Sequence, residues 1–391
     1  CKVKHRLSVV SVLLVVLLAV LSACAPQTAP APAPVAPAPT VAAPAPAAPQ
    51  PTSPEDSELQ QLIKAAQQEG KLIMYDATFF VGDIRIAVAK GFQERYGIPM
   101  EIMVTGGSSA TIEKLQVEQR MGINVADVFV AGSLSGPRMI SLGLTREVAS
   151  QLPVLKRDKD QFTTELVFSP GGEAVTFAFI SIGVAANSKL VQPGEIKSYK
   201  DLLKPKFKGK IVMRDPRLGS GGTPIVLGTL RHLKILDDGF LGTLFKQQEI
   251  AMWGGGENEV PQMIARGEYM VDMGAAVGLL YAPLVRDGAP VMPVYMEEGT
   301  IGMNSLILIS KGAPHPNAGR LFINWLLSAE GQTVYHKAVA STPVRKDVPN
   351  FMPEGMRKEP IRKLLPTNWE ATLAINKMIA DKDFENVFGK R

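Results

Sequence analysis

Short apolar runs alternate with amphipathic stretches in two separate regions of this chain, and one long apolar run joins the regions. In the first region, residues 71–75, 99–105 and 126–130 read as strands, and 57–69, 84–96 and 111–121 as helices. The first helix shows the logic. Leu59, Leu62, Ile63 and Ala66 stand at helical spacing, with Pro54 before them and Gly70 after. The rhythm returns with strands at 210–213 and 269–273 and helices at 223–236 and 261–266. Helices are also expected at 318–327 and 370–382. Such alternation is the pattern of an α/β fold built on open parallel sheet. The joining run, 174–186, is apolar without helical period and reads as a strand crossing between two halves; 302–310 reads as the return crossing. No repeat of fixed period is visible.

The N-terminal end is of another kind. Lys2, Lys4 and Arg6 precede an apolar run that ends in Leu21, Ser22, Ala23 and Cys24. A basic stretch, an apolar core and small residues before a cut describe a secretory leader. The apolar run is about 17 residues long, at the lower limit for spanning a bilayer. Leu-Ser-Ala-Cys resembles the bacterial lipobox, which implies that Cys24 becomes the lipidated first residue. More than one acyl chain would be needed for a stable anchor. Cys1 stands where an initiator methionine would be expected. Residues 25–56 are nearly all Ala, Pro, Val, Thr and Gln until Pro54; that composition cannot bury a core and favours polyproline II. Extended, thirty such residues reach roughly 90 Å, so the segment reads as a tether or as plain disorder. The remaining part, about 335 residues, exceeds one compact core, so two lobes are expected.

Composition excludes several classes. The only cysteines are Cys1 and Cys24, which leaves no disulfide, thiol nucleophile or thiolate metal site in the globular part. The chain carries +5, but removing the three basic residues of the leader from 42 leaves 39 against 37 acidic residues. With no basic block, nucleic-acid binding has no electrostatic support. His232, His315 and His336 are far apart and lack metal-ligand spacing, so neither a metal nor another cofactor is expected. No zinc-protease or nucleophile-elbow motif occurs, and an enzyme is not expected; an exported hydrolase using paired carboxylates is the alternative. Trp325 lies in an amphipathic helix and is expected in the core.

Open α/β sheets bind ligands beyond the carboxyl ends of their strands. That rule selects Asp76 and Thr78 after the first strand, Ser108 and Ser109 after the second, and Ser133 after the third. In the second region it selects Arg214, Ser220, Gly221, Gly222 and Thr223, and Asn258 in a later Gly-rich loop. Glycines let backbone N–H groups approach a ligand, and a helix N-terminus favours an anion. The same features also make ordinary caps, and Asp76 in particular also fits a simple capping role. Arg214 and Arg217 suit an acidic ligand or a salt bridge with Asp215. The loop lacks the lysine and spacing of a P-loop, so nucleotide hydrolysis is not expected.

Five segments carry a resemblance to a known family: GGSSATIEKL at 106–115, ADVFVAGS at 126–133, GKIVMRDPR at 209–217, ARGEY at 265–269 and PNAGRLFINWLL at 316–327. In order and spacing they resemble the extracellular solute-binding proteins of family 1, in the branch that includes ferric-ion binding proteins. The resemblance implies a type II periplasmic-binding fold, with lobes of 57–178 plus 303–352 and of 179–302 plus 353–391 and a ligand cleft between them. It implies a monomer that delivers its ligand to an ABC permease and its ATPase; a ligand-sensing lipoprotein is the other alternative to this transport role. It supports Ser220, Gly221 and Gly222 as anion contacts. Ferric members are expected to supply adjacent tyrosines where this chain has Ala275, Ala276 and Val277, and an acidic ligand near Gly132; Tyr281 comes one helical turn late. This departure points from iron towards a small organic anion, a carboxylate or phosphonate, against an apolar wall at 273–277.

Overall fold

The computed structural model describes residues 53–77, 79–80, 82–219, 221–256, 258–339, 343–356, 364–365 and 367–390. Cys24, the leader, most of the tether, Thr78 and Ser220 lie outside them.

The first half runs α1 (Pro54–Glu69), β1 (Leu72–Asp76), α2 (Asp83–Tyr96), β2 (Met100–Val104), α3 (Ser108–Met121) and β3 (Val128–Gly132). Short α4 (Gly136–Ser141), β4 (Thr145–Arg146) and α5 (Pro153–Arg157) lead to the long β5 (Ala174–Asn187). The second half runs β6 (Ile211–Arg214), α6 (Gly222–His232), α7 (Asp238–Gln248), β7 (Ala251–Trp253), α8 (Glu259–Arg266) and β8 (Val271–Ala276). A π-helical turn (Val277–Tyr281), α9 (Ala282–Arg286) and β9 (Val291–Val294) lead to the second long strand, β10 (Thr300–Ser310). The chain closes with α10 (Pro316–Leu326), α11 (Ala329–Val339), β11 (Leu364–Leu365), α12 (Trp369–Ala380) and α13 (Asp383–Phe388).

Local chemistry fixes the helix ends. Ser53 caps α1 by accepting the Asp56 N–H at 3.1 Å, Pro54 takes the first turn, and Gly70 ends the helix at φ 79°. The helix expected over 223–236 stops at His232, because Lys234 turns left-handed at φ 56°.

One sheet collects the strands in the order β2-β1-β3-β10-β5-β8-β6-β7. β1, β2 and β3 are mutually parallel, as are β6, β7 and β8. The two crossing strands expected from the sequence, β5 and β10, lie antiparallel between these sets. Both are almost wholly buried. This is an α/β fold of the type II periplasmic-binding kind. Trp325 is in the core as expected, with its ring 5.8 Å from that of Phe92.

His336 is also enclosed in this core, and burial pushes its imidazole down to about 3. Its folded pKa is below the unfolded value of ~6.5, so the stability it contributes is complete above pH ~6.5 and declines towards pH 3. Acidifying from pH 7 to pH 5 should cost about 2 kcal/mol through this group. Urea unfolding at the two pH values checks this, and His336→Met should flatten the difference.

Candidate functional site

The sheet register places the two sets of strand ends opposite each other. β3 runs along β10 until Gly132 pairs with Ser305. β8 runs the other way along β5 until Ala276 pairs with Ile182, which pairs in turn with Ile301. Ser305 and Ile301 are four positions apart on one strand, about 13 Å at the usual rise per residue. The carboxyl ends of the two parallel sets therefore point at one another across residues 302–304 of β10. Ligands of open α/β sheets bind at such ends.

On the first side, the turn between β2 and α3 is held by Thr105, whose N–H and hydroxyl both donate to the Asp76 carbonyl at 3.0 and 3.1 Å. The Thr111 hydroxyl donates to the Gly107 carbonyl at 3.0 Å. Gly106 and Gly107 have φ of 85° and 127°, conformations that demand glycine. α3 starts with no side-chain cap, so its first N–H groups, at Ser108 and Ser109, have no partner within the helix. Ser108 is half-buried and Ser109 exposed. Ser133 is buried just past β3, and its hydroxyl has no hydrogen-bond partner among the described residues. The Asp76 carboxylate is also buried, and it accepts the N–H groups of Phe79 at 2.8 Å and Phe80 at 3.1 Å. It shapes the loop after β1, which is the capping alternative raised by the sequence.

On the second side, α6 also begins without a side-chain cap among the described residues, behind Gly221 at φ 90°. Its first turn is pressed against β8. A Cβ on Gly222 would stand 2.3 Å from the Gly274 carbonyl oxygen, and one on Gly274 would stand 2.4 Å from the Thr223 hydroxyl oxygen. The cause is a bulge: the β5–β8 register slips at Gly183/Val184, and Gly274 adopts φ 146°. Thr223 is buried, and its hydroxyl has no partner among the described residues. Arg214 ends β6 half-buried, and its Nε donates to the Gly255 carbonyl at 3.3 Å. Arg217 forms a two-point pair with Asp215, at 2.8 Å on each oxygen. Asn258 is exposed at the head of α8 and caps nothing with its side chain.

The structure thus brings Gly222 and Thr223 into contact with β8. Ser108, Ser109 and Ser133 stand at the opposing strand ends, Arg214 ends β6 on the α6 side, and Asn258 heads a separate helix. The floor between the two sides escaped the sequence reading. Ser305 is buried and its hydroxyl has no partner among the described residues, and Asn304 donates to the Thr367 carbonyl at 2.8 Å while accepting from Thr176 at 3.2 Å. The signal was present as two polar residues inside an otherwise apolar strand. α12 touches both sides: the Asn376 amide donates to the Leu134 carbonyl at 2.8 Å, and Ile375 and Ile379 lie over Gly228 and Gly219.

Met273, Ala275, Ala276 and Val277 are buried. Tyr281 is buried in one cluster with Ala275 and Val277 and donates to the Asp272 carboxylate at 2.7 Å. Burial, then the Asp272 charge, raises the phenol pKa well above its ordinary value. Adding ferric citrate to the protein should therefore produce no visible tyrosinate-to-iron absorption band. Appearance of such a band would restore the iron reading.

Residues 82–338 match the model of a family described as bacterial extracellular solute-binding protein. The chain is 29% identical over 170 residues to a putative 2-aminoethylphosphonate-binding periplasmic protein of Salmonella typhimurium, covering 41% of this chain and 49% of that one. The match thus spans about half the length of that relative. Among solved structures, the periplasmic binding protein AfuA from Actinobacillus pleuropneumoniae, with exogenous fructose-6-phosphate bound, superposes with a TM-score of 0.64 at 24% identity, over 80% of this chain and 98% of its own. The ferric binding protein from Campylobacter jejuni superposes with a TM-score of 0.65 at 19% identity, over 81% and 99%.

Proposed function

Because the chain belongs to the family of bacterial extracellular solute-binding proteins, we propose that it captures a small organic anion, a phosphonate or a carboxylate, between the facing strand ends and delivers it to an ABC permease with its ATPase. One observation carries this reading. Two helices, α3 and α6, begin directly behind a glycine, with no side-chain cap among the described residues, at strand ends that point towards each other. Such N-termini offer N–H donors and positive dipole ends to an anion. The hydroxyls of Ser133, Thr223 and Ser305, which have no partner among the described residues, add donors nearby. Similarity to a putative 2-aminoethylphosphonate-binding relative and to a fold seen with a sugar phosphate supports the same ligand chemistry.

In this reading the lobes, 57–178 with 303–352 and 179–302 with 353–391, close on the ligand by hinge motion. Thr78, Ser220 and Asn258 remain ligand contacts to be tested with the rest. The protein works as a monomer, binds its ligand without converting it, and is held to the membrane through acylated Cys24. Mass spectrometry of the mature N-terminus tests the anchor.

A thermal-shift screen of 2-aminoethylphosphonate, sugar phosphates, dicarboxylates, free phosphate and neutral sugars tests the function. A ligand at 100 times its dissociation constant should add about 2.7 kcal/mol of stability. Stabilisation by neutral sugars and by none of the anions would reject the anion reading.

A further inference from the structure

A groove of about 380 Å³ lies among α1, α5 and α10, lined by Glu58, Gln61, Gln151, Lys156, Asn317 and Arg320. None of the candidate cleft residues lines it. Its volume is that of a small-molecule site.

Arg320 is the unusual member. One terminal nitrogen donates to the Gln151 amide oxygen at 2.7 Å and the other donates to the Asn317 amide oxygen. Both acceptors are neutral. Its Nε is buried with no hydrogen-bond partner among the described residues. Glu69 is near enough to act on its charge but spends its oxygens on the first turn of α10, taking the Asn317 N–H at 3.1 Å, the Asn317 amide at 2.6 Å and the Ala318 N–H at 2.8 Å. Lys156 brings a second cation and is paired with Glu58 at 3.1 Å. A partly desolvated cation without a carboxylate is costly, and a guanidinium fork fits phosphate and carboxylate oxygens. Burial, then the neighbouring Arg146 charge, lowers the Arg320 pKa, against the opposing pull of the Glu69 charge.

We propose that this groove is a second anion-binding site, separate from the cleft, in which Arg320 anchors a phosphate or carboxylate group and Lys156 assists. Two sources supply that chemistry: a free anion, or the phosphate of a lipid headgroup, since α1 follows directly on the segment read as a membrane tether.

Calorimetric titration of the full chain with inorganic phosphate and with citrate, at constant ionic strength, tests the free-anion source. Co-flotation with phosphatidylglycerol vesicles, against phosphatidylcholine vesicles, tests the lipid source. Arg320→Met should weaken binding in the productive arm by at least roughly tenfold, the value of one charge-assisted contact. Lys156→Gln should weaken it less, and Lys90→Gln, exposed on α2 and outside both sites, should leave it unchanged. If Arg320→Met does not fold, as judged by its melting in chloride, the exposed Lys156→Gln change carries the test. Binding unaffected by the groove variants, binding lost only with Ser133→Ala in the cleft, or no binding in either arm would overturn the proposal. The second of these outcomes would leave the cleft reading standing.

Discussion

Gly222→Ala is expected to lower the unfolding free energy by about 3 kcal/mol and to abolish ligand binding. The new Cβ would sit 2.3 Å from the Gly274 carbonyl oxygen and 3.1 Å from the Ile182 side chain. The first of these neighbours is backbone inside a sheet, so it cannot swing aside as a flexible side chain would. Relief requires α6 to lift away from β8, which moves the helix N-terminus that faces the other half. Gly274→Ala should fail by the reciprocal route, because its Cβ would stand 2.4 Å from the Thr223 hydroxyl oxygen and its φ of 146° is strained for any side chain. Gly242→Ala in α7 is the control: nothing lies within 4 Å of its Cβ, and helix propensity should make it neutral or slightly stabilising. Urea unfolding midpoints of the three variants check the order.

Ser133→Ala combined with Thr223→Val should move stability and affinity in opposite directions. Both hydroxyls are buried without a partner among the described residues. A buried hydroxyl that makes no hydrogen bond has lost its water for nothing, so removing both should stabilise the ligand-free protein by about 1–2 kcal/mol. If the ligand satisfies these hydroxyls, the same change costs about 1–1.5 kcal/mol per lost bond, or roughly a hundredfold in affinity for the pair. A purely structural role predicts that affinity stays constant or that stability falls. Unfolding and calorimetric titration of one variant therefore separate the two accounts.

Much of the fold was legible because apolar spacing and glycine punctuation are local. β5 and β10 stood out as long apolar runs without helical period, and both lie in the middle of the sheet. β9 was not legible, because Pro293 interrupts four residues that pair only with the end of β5. α7 was missed as well: Asp237 caps it, but only Leu241, Leu244 and Gln248 on it are buried. The candidate site divides in the same way. Residues after strands could be picked by position alone, and Gly222 and Thr223 do lie at a close approach between α6 and β8. What they approach could not be read, because the bulge at Gly274 depends on pairing with β5, more than eighty residues earlier in the chain. Asp76 shows the opposite limit. Its type and position suit ligand binding and capping equally, and the hydrogen bonds from the Phe79 and Phe80 N–H groups show the capping contact that position alone left open. Ser305 depends on its pairing with Gly132, a contact between strands far apart in sequence.

Amide hydrogen exchange of the full chain, with and without saturating 2-aminoethylphosphonate, tests the central claim most directly, because it reports where a ligand acts. Bound anion should slow exchange together at the start of α3 (residues 107–112), after β3 (132–136), at the start of α6 (221–226) and along 302–306 of β10. Protection confined to one side, or to the groove among α1, α5 and α10 while these four segments exchange as before, would contradict a ligand held between the facing strand ends.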